Sequence, residues 1–183
     1  MKADALGLLE LNSVAAGLQV VDAMLKAAQV ELVIARSICS GKYLVIIAGA
    51  VAEVQASVQS GAMMAEGAVI DSTVIPRLHP DILPAVSGIN RVASIRSLGM
   101  IESFSVASLL EAADAAAKTA NVEIVEIRLA MALGGKAFVT LTGDVSAVRE
   151  AVETGAFLVA QKGLLVNKVV IPAPAPGLYR DYI

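Results

Sequence analysis

The stretch ALGLLELNSVAAGLQVVDAMLKAAQVELVIAR (residues 5–36) recurs in the second half of the chain as SLGMIESFSVASLLEAADAAAKTANVEIVEIR (residues 97–128). The identical positions include Gly7, Glu10, Ser13, Asp22 and Lys26, which recur as Gly99, Glu102, Ser105, Asp114 and Lys118. After small insertions the match continues, pairing Gly41 with Gly135, Lys42 with Lys136 and Ile75 with Ile171. Self-similarity of this kind indicates two tandem copies of one domain.

Each copy has the pattern of a strand, a helix, two strands, a helix and a strand. In the first copy we predict strands at 6–11, 32–38, 43–48 and 68–75. Ser13 is a helix cap before a helix with one apolar face, the glycine-bearing turn SICSGKY (37–43) joins the middle strands, and Pro76 ends the last one. This order predicts an α/β (α+β) fold of two ferredoxin-like β-α-β-β-α-β domains, with helices over one face of an antiparallel sheet.

The domain boundaries follow from the repeat and from proline content. We predict a first domain at residues 1–86, a linker at 87–96 and a second domain at 97–183. The second domain ends in PAPAPGLYRDYI (172–183), which we expect to be an extended, proline-rich arm.

Composition limits the classes of partner. Hydrophobic residues make up 57% of the chain and charged residues only 17%, so we expect apolar surface to be covered by other subunits. The longest strongly apolar run, 43–52, is about half of the roughly 20 residues that a membrane-spanning helix needs, so no membrane association is expected. The net charge of −3 and the lack of a basic cluster argue against nucleic acid. One cysteine and no signal segment favour the cytoplasm.

No catalytic pattern is present, and we expect no catalytic residue and no enzyme activity. The chain lacks a Ser-His-Asp order, an HExxH motif, paired CxxC motifs and a phosphate-binding loop. The single histidine, His79, precedes Pro80 and is expected to be structural. The recurrent acids Glu10, Glu102, Asp22 and Asp114 are expected to cap helices, pair with lysines or support loops.

Several motifs together carry a family resemblance. These are DAMLKAAQVEL (22–32), DAAAKTANVEI (114–124), the glycine-bearing loops before the third strand of each copy, and VIPRLHPDIL (74–83). With them the chain resembles the tandem-domain shell proteins of bacterial microcompartments. The resemblance implies a homotrimer whose six domains form a pseudohexamer, which packs edge to edge with other shell proteins in a microcompartment shell. Cyclic symmetry is compatible with two related domains per subunit, because each presents a similar surface to its neighbour.

The resemblance also assigns positions on such a tile. It implies that Lys26 and Lys118 lie at tile edges and that Arg77 helps to join adjacent tiles. The second copy has Ala173 where that arginine would be, so the two kinds of edge need not pack alike. From the residues alone, the two lysines are typical of a solvated helix face.

The central pore is the site that the resemblance implies for Cys39. The loop between the second and third strands would line the pore, with Ser37, Ile38, Ser40, Gly41 and Lys42 from the first copy and Met131, Gly134 and Gly135 from the second. Three Cys39 thiols would then meet at the threefold axis. The propanediol-utilisation T-type subfamily has a cysteine in this loop and is associated with an iron–sulfur cluster, which implies one [4Fe–4S] cluster per trimer, bound by Cys39 of three chains. The family loop commonly reads Cys-Pro-Gly, whereas this chain has Cys39-Ser40-Gly41.

Three hypotheses of function fit the sequence. The cluster would serve electron transfer across the shell, with encapsulated redox enzymes as further partners. A second hypothesis keeps the tile but has an inert thiol, with a pore for small polar metabolites lined by Ser37, Ser40 and Lys42. A third hypothesis is a small-molecule sensor or enzyme on the duplicated fold, unrelated to shells.

Overall fold

The computed structural model describes residues 4–88 and 92–178. The first copy contains β1 (Ala5–Leu11), α1 (Val14–Ala27), β2 (Glu31–Ser37), β3 (Tyr43–Gly49), α2 (Val51–Met64) and β4 (Val69–Pro76). The second contains β5 (Leu98–Ser103), α4 (Val106–Thr119), β6 (Val122–Arg128), β7 (Ala137–Gly143), α5 (Val145–Gln161) and β8 (Leu165–Ile171). The predicted order of elements is confirmed in both copies.

Each copy forms a four-stranded antiparallel sheet, with strand orders β2-β3-β1-β4 and β6-β7-β5-β8. The central strand β1 pairs on both sides, so that Leu8 lies opposite Ile46 of β3 and Thr73 of β4. The predicted ferredoxin-like fold class is therefore confirmed.

Serine caps begin the first helix of each copy, as predicted for Ser13. The Ser13 hydroxyl accepts a hydrogen bond from the Ala16 N–H at 3.3 Å, and Ser105 accepts one from the Ser108 N–H at 3.1 Å. Each cap satisfies one of the helix N–H groups that lack an intrahelical partner.

A glycine in the central strand lets a helix pack directly on the sheet. A Cβ atom built on Gly7 would lie 2.7 Å from both Val54 and Val58 of α2. The second copy repeats the arrangement, with Gly99 beneath Val148 and Val152 of α5. The recurrence of this glycine therefore reflects close helix-to-strand packing.

The chain forms two compact units that do not coincide with the two copies. Among the described residues, one unit contains those up to Leu78 together with 130–135, and the other contains those from 79 to 129 and from Lys136 onward. The second unit includes a short helix, α3 (Ile82–Val86), that the sequence did not predict; it packs against α4 and β6. The boundaries 1–86, 87–96 and 97–183 stay a prediction. Residues 89–91 of the predicted linker and 179–183 of the predicted arm lie outside the described residues.

Candidate functional site

Cys39 begins a tight turn, Cys39–Gly41, between β2 and β3. The Ile38 N–H donates to the Lys42 carbonyl at 2.9 Å and closes the turn. Ser40 and Gly41 have φ values of 64° and 70°, in the left-handed region that glycine and small polar residues favour. The Cys39 thiol is free and partly exposed. The turn therefore leaves the thiol accessible instead of placing it in the core.

A second loop contacts this turn within the first compact unit. The loop spans 130–135, between β6 and β7, and its Ala130 carbonyl accepts a hydrogen bond from the Cys39 N–H at 3.0 Å. Positive φ values recur along it, at Ala130, Ala132, Gly134 and Gly135. Left-handed residues of this kind direct backbone N–H groups into a concave surface that attracts anions. An alanine held in this region costs about 1 kcal/mol or more, so the loop conformation must be held by its contacts.

The N–H groups of this loop act on the Cys39 thiol. The Leu133 N–H makes the largest contribution and lowers the pKa of the thiol. Partial burial opposes it by raising the pKa, and the N–H groups of Gly135, Ala132 and Gly134 lower it further. The net pKa is below the ordinary cysteine value, so a larger fraction is thiolate at neutral pH. The thiolate is the form that binds metals.

Glycine is required where the two loops meet. Gly135 has a φ of 85°, and a Cβ built on it would lie 3.1 Å from the Ser40 hydroxyl oxygen. Gly134 also has a positive φ, of 62°, but faces open space. The Gly134-Gly135 pair therefore allows the loop to adopt positive φ values, and Gly135 also allows its close approach to the Cys39 turn.

The predicted pore-lining residues divide by exposure. Those that reach the surface of the single chain are Ser37, Ser40, Gly41, Met131 and Gly134, whereas Ile38 and Gly135 are buried. The structure thus brings the Cys39 turn and the 130–135 loop together within the first compact unit. Their position around a pore stays a prediction, because a pore would form only between copies.

Lys42 does not extend from the loop but pairs with the sheet beneath it. Its ammonium group lies 2.7 Å from a carboxylate oxygen of Glu10, whose side chain is fully buried in β1. The second copy repeats the pair between Lys136 and Glu102, also at 2.7 Å but more exposed. The recurrent glutamates therefore support the loops through lysine partners, as expected from the sequence.

The three predicted edge residues lie on the surface in different settings. Lys26 is exposed and pairs with Asp22 at 2.7 Å, while Lys118 pairs with a buried Asp114. Arg77 is exposed directly after β4, with a φ of 50°. Pairing of the recurrent aspartates with lysines is confirmed, and the role of these residues at tile edges stays a prediction.

Sequence reasoning missed two of the groups that lower the Cys39 pKa, namely the backbone N–H group of Leu133, which has the largest effect, and that of Ala132. The available signal was the longer, glycine-rich loop LAMALGGK (129–136) of the second copy. The sequence predicts a pore loop without a thiol there, and nothing in its side chains indicates that its backbone approaches the cysteine of the other copy.

Within residues 4–88 and 92–178, no group of three or more histidine, cysteine, aspartate or glutamate side chains could hold a metal ion. In the same ranges, no helix has both the length and the apolar character that crossing a bilayer requires.

Comparison with known proteins shows what the chain is similar to. The model of the BMC domain matches it twice, over residues 5–78 and 97–174. The bacterial microcompartment shell protein PduT of Citrobacter freundii is 41% identical over 179 residues, covering 98% of this chain and 97% of PduT. The carboxysome assembly protein CcmO of Synechocystis is 32% identical over 183 residues, covering 92% of this chain and 61% of CcmO.

Solved structures agree with these matches. A microcompartment protein from Desulfitobacterium hafniense DCB has a TM-score of 0.88 at 52% identity, covering 96% of this chain and 98% of its own. The fused permuted hexameric shell protein MSM0275 of the RMM microcompartment has a TM-score of 0.65 at 20% identity, covering 85% and 81% of the two chains. The second likeness is evidence for the fold alone.

Proposed function

This chain belongs to the BMC-domain family of bacterial microcompartment shell proteins, and we propose that three copies form a pseudohexagonal tile with a [4Fe–4S] cluster bound by Cys39 of each copy. The tile has a structural role in the shell and is not an enzyme. The hypothesis of a sensor or enzyme unrelated to shells is wrong, because both copies match the shell-protein family over nearly the whole chain.

The observation that carries the proposal is the environment of Cys39. The thiol is partly exposed, and backbone N–H groups led by that of Leu133 lower its pKa. A structural cysteine in an apolar core has the opposite character, because burial raises the thiol pKa and makes it inert. Iron–sulfur clusters are held by thiolates, so Cys39 fits the donor chemistry of the group.

Symmetry would supply the remaining thiolates. One cysteine per chain cannot hold a cluster, but a threefold axis next to the Cys39 turn would bring three equivalent thiolates together. A [4Fe–4S] cluster takes four ligands, usually cysteines, so the fourth would be solvent or an exogenous group on the axis. The second copy has Met131 and Leu133 near the corresponding place and no thiol, which favours threefold over sixfold chemistry.

The loop 130–135 would hold the ligands in place. Its carbonyl at Ala130 fixes the Cys39 backbone, and its N–H groups act on the Cys39 sulfur. When bound, the cluster supplies one-electron redox chemistry, and N–H groups near its sulfurs raise the reduction potential. These residues would therefore both retain the ligand geometry and set the potential.

A redox centre in the shell suggests electron transfer between the two sides of the tile. We propose encapsulated redox enzymes as the partners on one side and other shell proteins as the lateral neighbours. The test is a shell assembled from wild-type tiles with a reductant confined to one side. Reduction of an acceptor on the other side, lost in shells carrying Cys39→Ser, is the expected result; equal rates in both shells would contradict electron transfer.

Cluster binding is tested separately on anaerobically purified protein. Iron and acid-labile sulfide are measured per trimer, with electron paramagnetic resonance spectra before and after dithionite. About four irons and four sulfides are expected in the wild type and in the neighbouring control Ser37→Ala, and none in Cys39→Ser. An iron-free wild type, even after anaerobic reconstitution, would contradict the cluster and favour a pore for small polar metabolites.

A further inference from the structure

The first helices of the two copies, α1 and α4, lie in different environments, although their sequences correspond. We define the α1 face as Val14, Leu18 and Leu25 of α1 together with Leu32 of the adjoining strand β2, all of which are exposed. The corresponding residues of the second copy are Val106, Leu110, Ala117 and Ile124, all of which are buried. The contrast is largest at Leu18, which is 62% exposed, against 0% for Leu110. The same apolar pattern is therefore covered in one copy and uncovered in the other.

A short segment packs against the helix and the strand that carry these residues in the second copy. After β4 the chain turns at His79 and forms α3, which packs against α4 and β6 and buries Ile82 and Ala85. The His79 N–H donates to Asp114 Oδ1 at 2.8 Å, while Asp114 Oδ2 pairs with Lys118. The segment is thus held by one apolar anchor, Ile82, and one backbone hydrogen bond to a helix carboxylate.

A second segment with a corresponding sequence and turn follows β8. The alignment that pairs Ile75 with Ile171 also pairs Pro80 with Pro176 and Ile82 with Leu178. The turn is the same: the Ile82 N–H donates to the His79 carbonyl at 3.1 Å, and the Leu178 N–H donates to the Ala175 carbonyl at 2.9 Å. The two apolar residues differ in exposure, because Ile82 is fully buried and Leu178 is 45% exposed.

The α1 face also has the matching hydrogen-bond acceptor. Asp22 corresponds to Asp114 and pairs with Lys26 through Oδ2, as Asp114 does with Lys118. The side chain of Asp22 is 62% exposed, against 7% for Asp114. Asp22 Oδ1 therefore corresponds to Asp114 Oδ1, which accepts the hydrogen bond from the His79 N–H. In the segment after β8, the residue that corresponds to His79 is Ala175.

We infer that residues 172–178 of one copy dock on the α1 face of a second copy. Leu178 takes the place that Ile82 has in the second unit, and the Ala175 N–H donates to Asp22 Oδ1 of the neighbour. The contact is heterologous, because the tail of one copy meets a different surface, the α1 face, on the next. Repeated contacts of this kind form a closed ring when the rotations between successive copies lead back to the first copy. The inference rests on the proposed tile in one respect, namely that the ring closes at three copies.

Disulfide trapping tests the docking directly. Asp22→Cys and Ala175→Cys are combined in a Cys39→Ser chain, so that the readout does not depend on a cluster. The matched control is Asp114→Cys with His79→Cys, which should cross-link within one chain because those residues are in contact. The expected result on a non-reducing gel is a series of covalent species that ends at the trimer.

Each other outcome separates the docking from the tile. A trimer in solution that yields no interchain cross-link, while the control pair forms, would overturn the docking and leave the tile standing. A cross-link within one chain would also overturn it, because the tail would then cover its own α1 face. A series that continues past three copies would support the docking and contradict the trimer.

A mixing experiment gives an independent test. Leu18→Asp damages the face and Leu178→Asp damages the tail, so each variant alone should associate about tenfold more weakly or worse. A mixture of the two should recover one intact junction and form a dimer in sedimentation analysis. The control is Phe157→Asp, which changes an equally exposed residue on α5 and should leave the mass unchanged. Wild-type association of both variants would overturn the docking.

Discussion

The Cys39 N–H donates to the Ala130 carbonyl at 3.0 Å, which joins the only cysteine of the chain to a loop encoded about ninety residues later. Because of this contact, the N–H groups that follow Ala130 lie next to the thiol and lower its pKa. The second copy contributes no thiol, but it contributes the backbone that modifies the thiol of the first. The chemistry of the site therefore depends on both copies.

The lowered pKa predicts the pH at which Cys39 reacts. In the cluster-free folded chain, the thiolate should form at a lower pH than in the urea-unfolded chain, where the loop N–H groups are lost. Alkylation rate plotted against pH should therefore reach its midpoint at lower pH in the folded chain. Leu133→Pro removes the strongest N–H donor and should raise the midpoint, while Leu133→Ala keeps the donor and should not. Coincident midpoints for folded and unfolded chains would contradict this account.

The Lys42–Glu10 pair should matter more to stability than its copy. Lys42→Met removes the cation next to a fully buried carboxylate, and we expect a loss of about 3 kcal/mol in the free energy of unfolding. Lys136→Met is the matched control, where a more exposed pair should cost about 1 kcal/mol or less. Urea unfolding at one fixed protein concentration measures both, since association also contributes to stability. Equal losses would show that burial does not distinguish the pairs.

Gly135 should be less replaceable than Gly134. Alanine at either position adopts a positive φ, which costs about 1 kcal/mol. Gly135→Ala also places a Cβ at 3.1 Å from the Ser40 oxygen, so the Cys39 turn must shift. Thermal unfolding should show the larger loss for Gly135→Ala, and the double change with Ser40→Gly should recover the difference. A larger effect at Gly134 would argue against close contact between the loops.

Gly7 should resist substitution because of helix packing. Gly7→Ala puts a Cβ at 2.7 Å from two valines of α2 and should destabilise the fold by about 2 kcal/mol. Gly49→Ala is the control, because a Cβ there would make only ordinary contacts at 3.6 Å. Denaturant titration compares the two variants, and Val54→Ala should relieve part of the loss at Gly7. If Gly49→Ala is the more damaging change, close packing is not the reason for the glycine.

The repeat made most of the fold predictable. Apolar runs, serine caps and glycine-bearing turns are local signals, and each appears twice, so the element order and sheet topology followed from them. The helix α3 was missed because it spans only Ile82–Val86 and contains a proline, which gives no periodic signal.

The environment of the site was only partly predictable. Cys39 stood out by composition, but the approach of loop 130–135 is a contact between segments far apart in sequence, held by alanines at positive φ that no residue preference indicates. Asp22 and Asp114 show the same limit, because identical residues at matching positions differ in burial through what lies over each helix.

Native mass spectrometry of the anaerobically purified protein tests the central claim most directly, because one spectrum reports both the number of chains and the bound cluster. The account predicts a trimer whose mass exceeds that of three chains by four irons and four sulfides, and a Cys39→Ser trimer without the excess. A wild-type trimer of three bare chains, prepared and measured under the same conditions, would contradict the claim.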